Sequence, residues 1–74
     1  MDSNRQERIL QKLGKRLMKA RKEKGLSLRE LADQVDMSYN TIHRIERGIA
    51  DPRATTIYLL AEALDVDPAI FFKG

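Results

Sequence analysis

Five residues near the middle of the chain, Tyr39, Asn40, His43, Arg44 and Arg47, recur at helical spacing and carry the side chains best suited to chemistry. They offer a phenol, an amide, an imidazole and two guanidinium groups, with no carboxylate among them. Such a set donates hydrogen bonds and positive charge, which suits an anionic, hydrogen-bonding partner better than it suits a reaction. The alternative is a polar face that only keeps the chain in solution, although a solvated helix usually mixes charge signs. His43 invites a metal or acid–base reading, and that reading fails. The chain has one histidine and no cysteine, and the nearest carboxylate in sequence is Glu46, so no ligand set can be assembled and no metal is expected.

A helix must align these residues, and its limits are written around them. Ser38 is placed to cap the N-terminus, and Gly48 stands where a left-handed C-terminal residue would end the helix. Ile42, Ile45 and Glu46 share the side opposite the polar five, so that side should face a core. Upstream, Ser27 and Glu30 form a Ser-x-x-Glu capping box, and Leu28, Leu31, Ala32 and Val35 follow at helical spacing. Asp36 and Met37 interrupt that pattern. The segment Leu26 to Gly48 is therefore expected to be two short helices joined by a tight turn.

The flanks supply the rest of a small core. Ile9, Leu10, Leu13, Leu17 and Ala20 predict a first helix from about Glu7 to Lys24, stopped by Gly25, with residues 1–8 forming a polar tail and residues 9–74 the domain. Gly14 costs that helix roughly 1 kcal/mol relative to alanine. Its presence implies either a close helix contact or a point of bending. The basic residues Lys12, Lys15, Arg16, Lys19, Arg21, Lys22 and Lys24 line the same helix, and a solvated face accounts for most of them.

After Gly48, Asp51-Pro52 signals a loop, and a fourth helix begins near Ala54 or Thr55. Its apolar stripe is Ile57, Leu60, Ala61 and Leu64, with Tyr58 and Leu59 lying off it. A fifth helix starts at Pro68 behind an Asp67 cap and carries Ile70, Phe71 and Phe72, which either close the core or meet a partner.

Composition sets the outer bounds. The chain has 74 residues, enough for one small domain, and a formal charge of +3 that agrees with a polyanionic partner without requiring one. Strand patterns are missing, so the fold class is all-α. No apolar run approaches a membrane span, and MDSNRQER lacks the apolar centre of a signal peptide, which makes a cytoplasmic location and no membrane contact the expectation. One histidine, no cysteine and no glycine-rich phosphate loop argue against an enzyme, and no cofactor is expected.

The order and spacing from Leu13 to Phe72 resemble the compact five-helix domain of the phage repressor and Cro family, of XRE type. The residues that carry the resemblance are Arg21, Leu26-Ser27, Glu30-Leu31-Ala32, Ile42, Ile45, Glu46-Arg47-Gly48, Pro52, Leu60-Ala61-Glu62-Ala63-Leu64 and Val66. The resemblance implies a helix-turn-helix transcriptional regulator, commonly a repressor, that places helix three in the major groove of double-stranded DNA while helix two crosses the backbone.

Several residue roles follow from it. Asn40 and Arg44 would read bases, since asparagine pairs bidentately with adenine and arginine with guanine, and Tyr39 and His43 are second choices. Phosphate contacts would come from Arg29, Ser38, Arg47, Arg53 and Thr55. Glu46 sits near a helix C-terminus, where a carboxylate opposes the macrodipole, and the family pairs it with an arginine at the position of Arg21. The family often has a glutamine where this chain has Leu28. Stand-alone members, among them restriction-modification controller proteins, commonly dimerise through their last helices, which nominates Ile70, Phe71 and Phe72 for a homodimer. A second reading is an antitoxin-type module that neutralises a toxin partner and binds DNA to regulate its own synthesis. The chain is either a whole protein or a domain of a longer one.

Overall fold

A computed structural model describes residues 3–73 and contains four α-helices followed by a single 3₁₀ turn: α1 Ser3–Glu23, α2 Leu28–Gln34, α3 Tyr39–Glu46, α4 Ala54–Leu64 and the turn Pro68–Phe72. The described residues are all-α, as expected. The last element differs from the expected fifth α-helix. It has an N1 proline and five residues, under two turns, and such a short length suits the tighter 3₁₀ winding. Asp67 caps it, accepting from the Ala69 N–H at 2.9 Å.

The first helix begins at Ser3, not near Glu7, and passes through residue 9 without a break. Residues 4–9 are all exposed on it, including Ile9, whose side chain lies in solvent rather than on the core face assigned to it. A helix that buries nothing shows no apolar periodicity, which explains why these turns read as a tail. Met1 and Asp2 lie outside the described residues.

All four α-helices end alike. The N–H of a left-handed residue returns to the third carbonyl back, and the next N–H returns to the fifth, which is the Schellman arrangement. Gly25 and Leu26 close α1 on Lys22 and Arg21, and Gly48 and Ile49 close α3 on Ile45 and Arg44. Asp36 and Met37 close α2 on Asp33 and Ala32, and Asp65 and Val66 close α4 on Glu62 and Ala61. The interruption at Asp36-Met37 is thus the tight turn between α2 and α3.

The helix starts follow the expected caps. Ser27 Oγ accepts from the Glu30 N–H while Glu30 Oε1 accepts from the Ser27 N–H, completing the capping box. Ser38 Oγ accepts from the Thr41 N–H at 3.1 Å.

The core joins Leu13, Leu17 and Ala20 of α1 to Leu31 and Ala32 of α2, Ile42 and Ile45 of α3, and Ile57, Leu60, Ala61 and Leu64 of α4. Phe71 completes it with 2 % of its surface exposed. Leu28 and Val35 are only partly buried at its margin. Both α1 and α2 pack against α3. Gly14 marks where α1 meets α3: a Cβ there would lie 2.5 Å from the carbonyl oxygens of both Ile45 and Glu46. The glycine therefore serves a close helix contact.

Candidate nucleic-acid interface

Helix α3 owes its position to its inward side. Ile42 and Ile45 are buried among core residues, and Glu46, at the last helical position, is 4 % exposed. A carboxylate buried at a helix C-terminus requires a cation. Arg21 supplies it from α1, with Nε donating to Glu46 Oε2 at 2.7 Å and Nη2 to Oε1 at 3.1 Å. The same guanidinium donates from Nη1 to the Leu26 carbonyl at 2.8 Å, which ties the α1–α2 connection to the pair. That third bond was not foreseen, because no side-chain pattern identifies a carbonyl acceptor.

The outward side is then fixed by helix geometry. Tyr39, Asn40, Arg44 and Arg47 are exposed and His43 is half-exposed. Arg47 directly follows the last residue of α3 and Arg53 directly precedes α4, where each is exposed. Thr55 is exposed in the first turn of α4, and Arg29 is the second residue of α2. Ser38 has its hydroxyl engaged with Thr41, both the N–H and the hydroxyl, the latter at 2.7 Å.

Two ring contacts lie on this surface. The Tyr39 and His43 rings stack with centroids 5.9 Å apart and planes at 28°. The Arg29 guanidinium carbon lies 5.5 Å from the Tyr39 ring centroid, within cation–π range. Sequence spacing identifies the i, i+4 pair within α3 but says nothing of Arg29, which reaches Tyr39 from another helix.

The terminal trio divides. Phe71 is in the core, so its ring has no surface to present to a second copy, which corrects the expectation that it lies in a dimer interface. One ring at that position fills the gap between α1, α4 and the 3₁₀ turn, as a monomer of this size readily accommodates. Ile70 packs partly against the core and Phe72 is 61 % exposed.

A short helix capped by serine, a four-residue turn before it and a polar outer face, all braced by a buried arginine–glutamate pair, are the parts of a helix-turn-helix. Residues 17–71 match the helix-turn-helix family HTH_3. This chain belongs to that family.

Solved structures superpose closely on this chain. The restriction-modification controller protein C.AhdI from Aeromonas hydrophila matches with a TM-score of 0.82 and 36% identity, over 85% of this chain and 96% of that one. The controller protein C.Esp1396I, in the structure of its tetramer with its natural 35 base-pair operator, gives 0.77 at 28% identity, over 86% and 84%. An HTH-type transcriptional regulator of Rickettsia conorii is 34% identical over 70 residues, which is 89% of this chain and 56% of the relative. The chain spans about half the length of that relative. No helix among the described residues is long and apolar enough to cross a membrane, and no group of acidic, histidine or cysteine residues among them could hold a metal ion.

Proposed function

We propose that this chain is a sequence-specific DNA-binding transcriptional regulator that lays α3 in the major groove. The observation that carries the reading is the sidedness of α3. One face is buried through Ile42, Ile45 and the Arg21-bound Glu46, and the other presents Tyr39, Asn40, His43, Arg44 and Arg47 with no carboxylate. The operator-bound C.Esp1396I structure supports it by likeness of fold. Asn40 and Arg44 read base edges, with Tyr39 and His43 beside them. Arg47, Arg53 and Thr55 position the domain on phosphates, and Ser38 does so through what remains of its hydroxyl after capping.

A domain this small buries limited surface on one half-site, so specific binding calls for a homodimer across two half-sites. Phe72, which is exposed, and the partly buried Ile70 are the terminal residues left for that contact. The setting is the cytoplasm, and the role is binding without catalysis. An equilibrium titration against duplex DNA at several salt concentrations tests the reading. The logarithm of affinity falls linearly with the logarithm of salt if phosphates are neutralised, and a salt-independent affinity overturns it.

A second reading, an antitoxin-type module, is favoured by one observation. Tyr58 and Leu59 are 62 % and 46 % exposed side by side on α4. Co-purification of a small protein that is lost on Tyr58→Ala and Leu59→Ala would establish it.

A further inference from the structure

The Arg29 guanidinium carbon lies 5.5 Å from the centroid of the Tyr39 ring, and the same ring stacks on His43 at 5.9 Å. We infer that Arg29 is a positioning residue for base recognition: it holds the Tyr39 ring so that Arg29, Tyr39 and His43 act as one specificity-determining unit spanning α2 and α3. The inference rests on the DNA-reading function proposed above.

Tyr39 is the first residue of α3, and the N-terminal residues of a recognition helix are the ones that reach base edges. Tyr39 is 45 % exposed and is not among the core residues, so the core does not fix its rotamer. Two partners remain to do so. His43 lies one helical turn along α3, and Arg29 reaches the ring from the first turn of α2. A ring held in one orientation can adjust to a wrong base pair only by giving up its contacts with Arg29 and His43, and that cost falls on the wrong pair alone. Arg29 therefore links the angle between the two helices of the motif to what the second one reads. A simple phosphate contact would make no such link.

The two roles differ in measurable ways. Affinities of the full chain and of Arg29→Ala, Tyr39→Ala and the double variant are measured on a preferred duplex and on its single-base variants at several salt concentrations. Circular dichroism establishes that each variant is folded. The expected result is that Arg29→Ala reduces discrimination at the same base pairs as Tyr39→Ala by about two- to fivefold, the equivalent of one exposed cation–π contact. The salt slope stays unchanged, and the double variant discriminates no worse than Tyr39→Ala alone.

A uniform loss on every duplex, with the salt slope lower by about one, marks a phosphate contact and overturns the inference. A parent chain with no preference among duplexes overturns the DNA reading beneath it. The ring contact is then judged separately by NMR of the free protein. Arg29→Ala shifts the Tyr39 ring protons if the contact is made, and unshifted ring protons overturn the contact itself.

Discussion

Arg21 and Glu46, 25 residues apart in sequence, are joined by two hydrogen bonds of 2.7 and 3.1 Å in the interior where α1 meets α3. Removing one partner of such a pair strands the other charge in the core. Arg21→Ala is expected to cost about 3–5 kcal/mol, read as a lower urea or thermal midpoint. Replacing both partners with apolar residues of similar volume, as in Arg21→Met with Glu46→Leu, should recover most of that loss. An unchanged midpoint for Arg21→Ala contradicts the role assigned to the pair.

Gly14 gives a case in which helix propensity and packing oppose one another. Alanine would favour α1 by roughly 1 kcal/mol. Its Cβ would meet two carbonyl oxygens of α3 at 2.5 Å, and backbone cannot move aside as a flexible side chain can. Gly14→Ala should therefore destabilise the fold by about 1–3 kcal/mol, as overpacking does. A raised urea midpoint would show that α1 and α3 do not approach this closely.

Asp36 and Asp65 occupy left-handed positions, φ 56° and 57°, where α1 and α3 use Gly25 and Gly48. A Cβ is strained in that conformation by about 1 kcal/mol. Asp36→Gly should accordingly raise the unfolding midpoint modestly while leaving the helix pair intact. A fall in stability would mean that the aspartate side chain contributes more than its backbone strain costs.

Much of this architecture was legible in the sequence because its signals are local. Ser27 with Glu30, Ser38, Gly25 and Gly48 each act within one turn of their own position, and the stripe Ile57, Leu60, Ala61, Leu64 is buried as its spacing indicates. Legibility ended where a residue's role depends on a distant element. The purpose of Gly14 lies in α3, and that of Arg29 in the ring of Tyr39. The helical start at Ser3 was hidden because those turns bury nothing, and adjacent phenylalanines do not reveal which of them a short 3₁₀ turn will bury.

The two phenylalanines should separate cleanly by experiment. Phe71→Ala removes a core ring and is expected to cost about 3–5 kcal/mol of stability. Phe72→Ala, at an exposed position, should leave the unfolding midpoint of the dilute monomer nearly unchanged while weakening self-association in sedimentation equilibrium. Equal association constants for Phe72→Ala and the parent would remove Phe72 from the dimer contact.

The central claim is that the outer face of α3 reads base sequence. Duplexes selected from a random pool are compared with scrambled versions at physiological salt, for the parent chain and for Asn40→Ala, Arg44→Ala and Arg47→Ala. The account predicts that the parent prefers the selected duplex by about a thousandfold or more. Asn40→Ala and Arg44→Ala should each relax preference at one base position by about 1–3 kcal/mol, while Arg47→Ala weakens all duplexes alike. Equal affinity of the parent chain for selected and scrambled duplexes would contradict it.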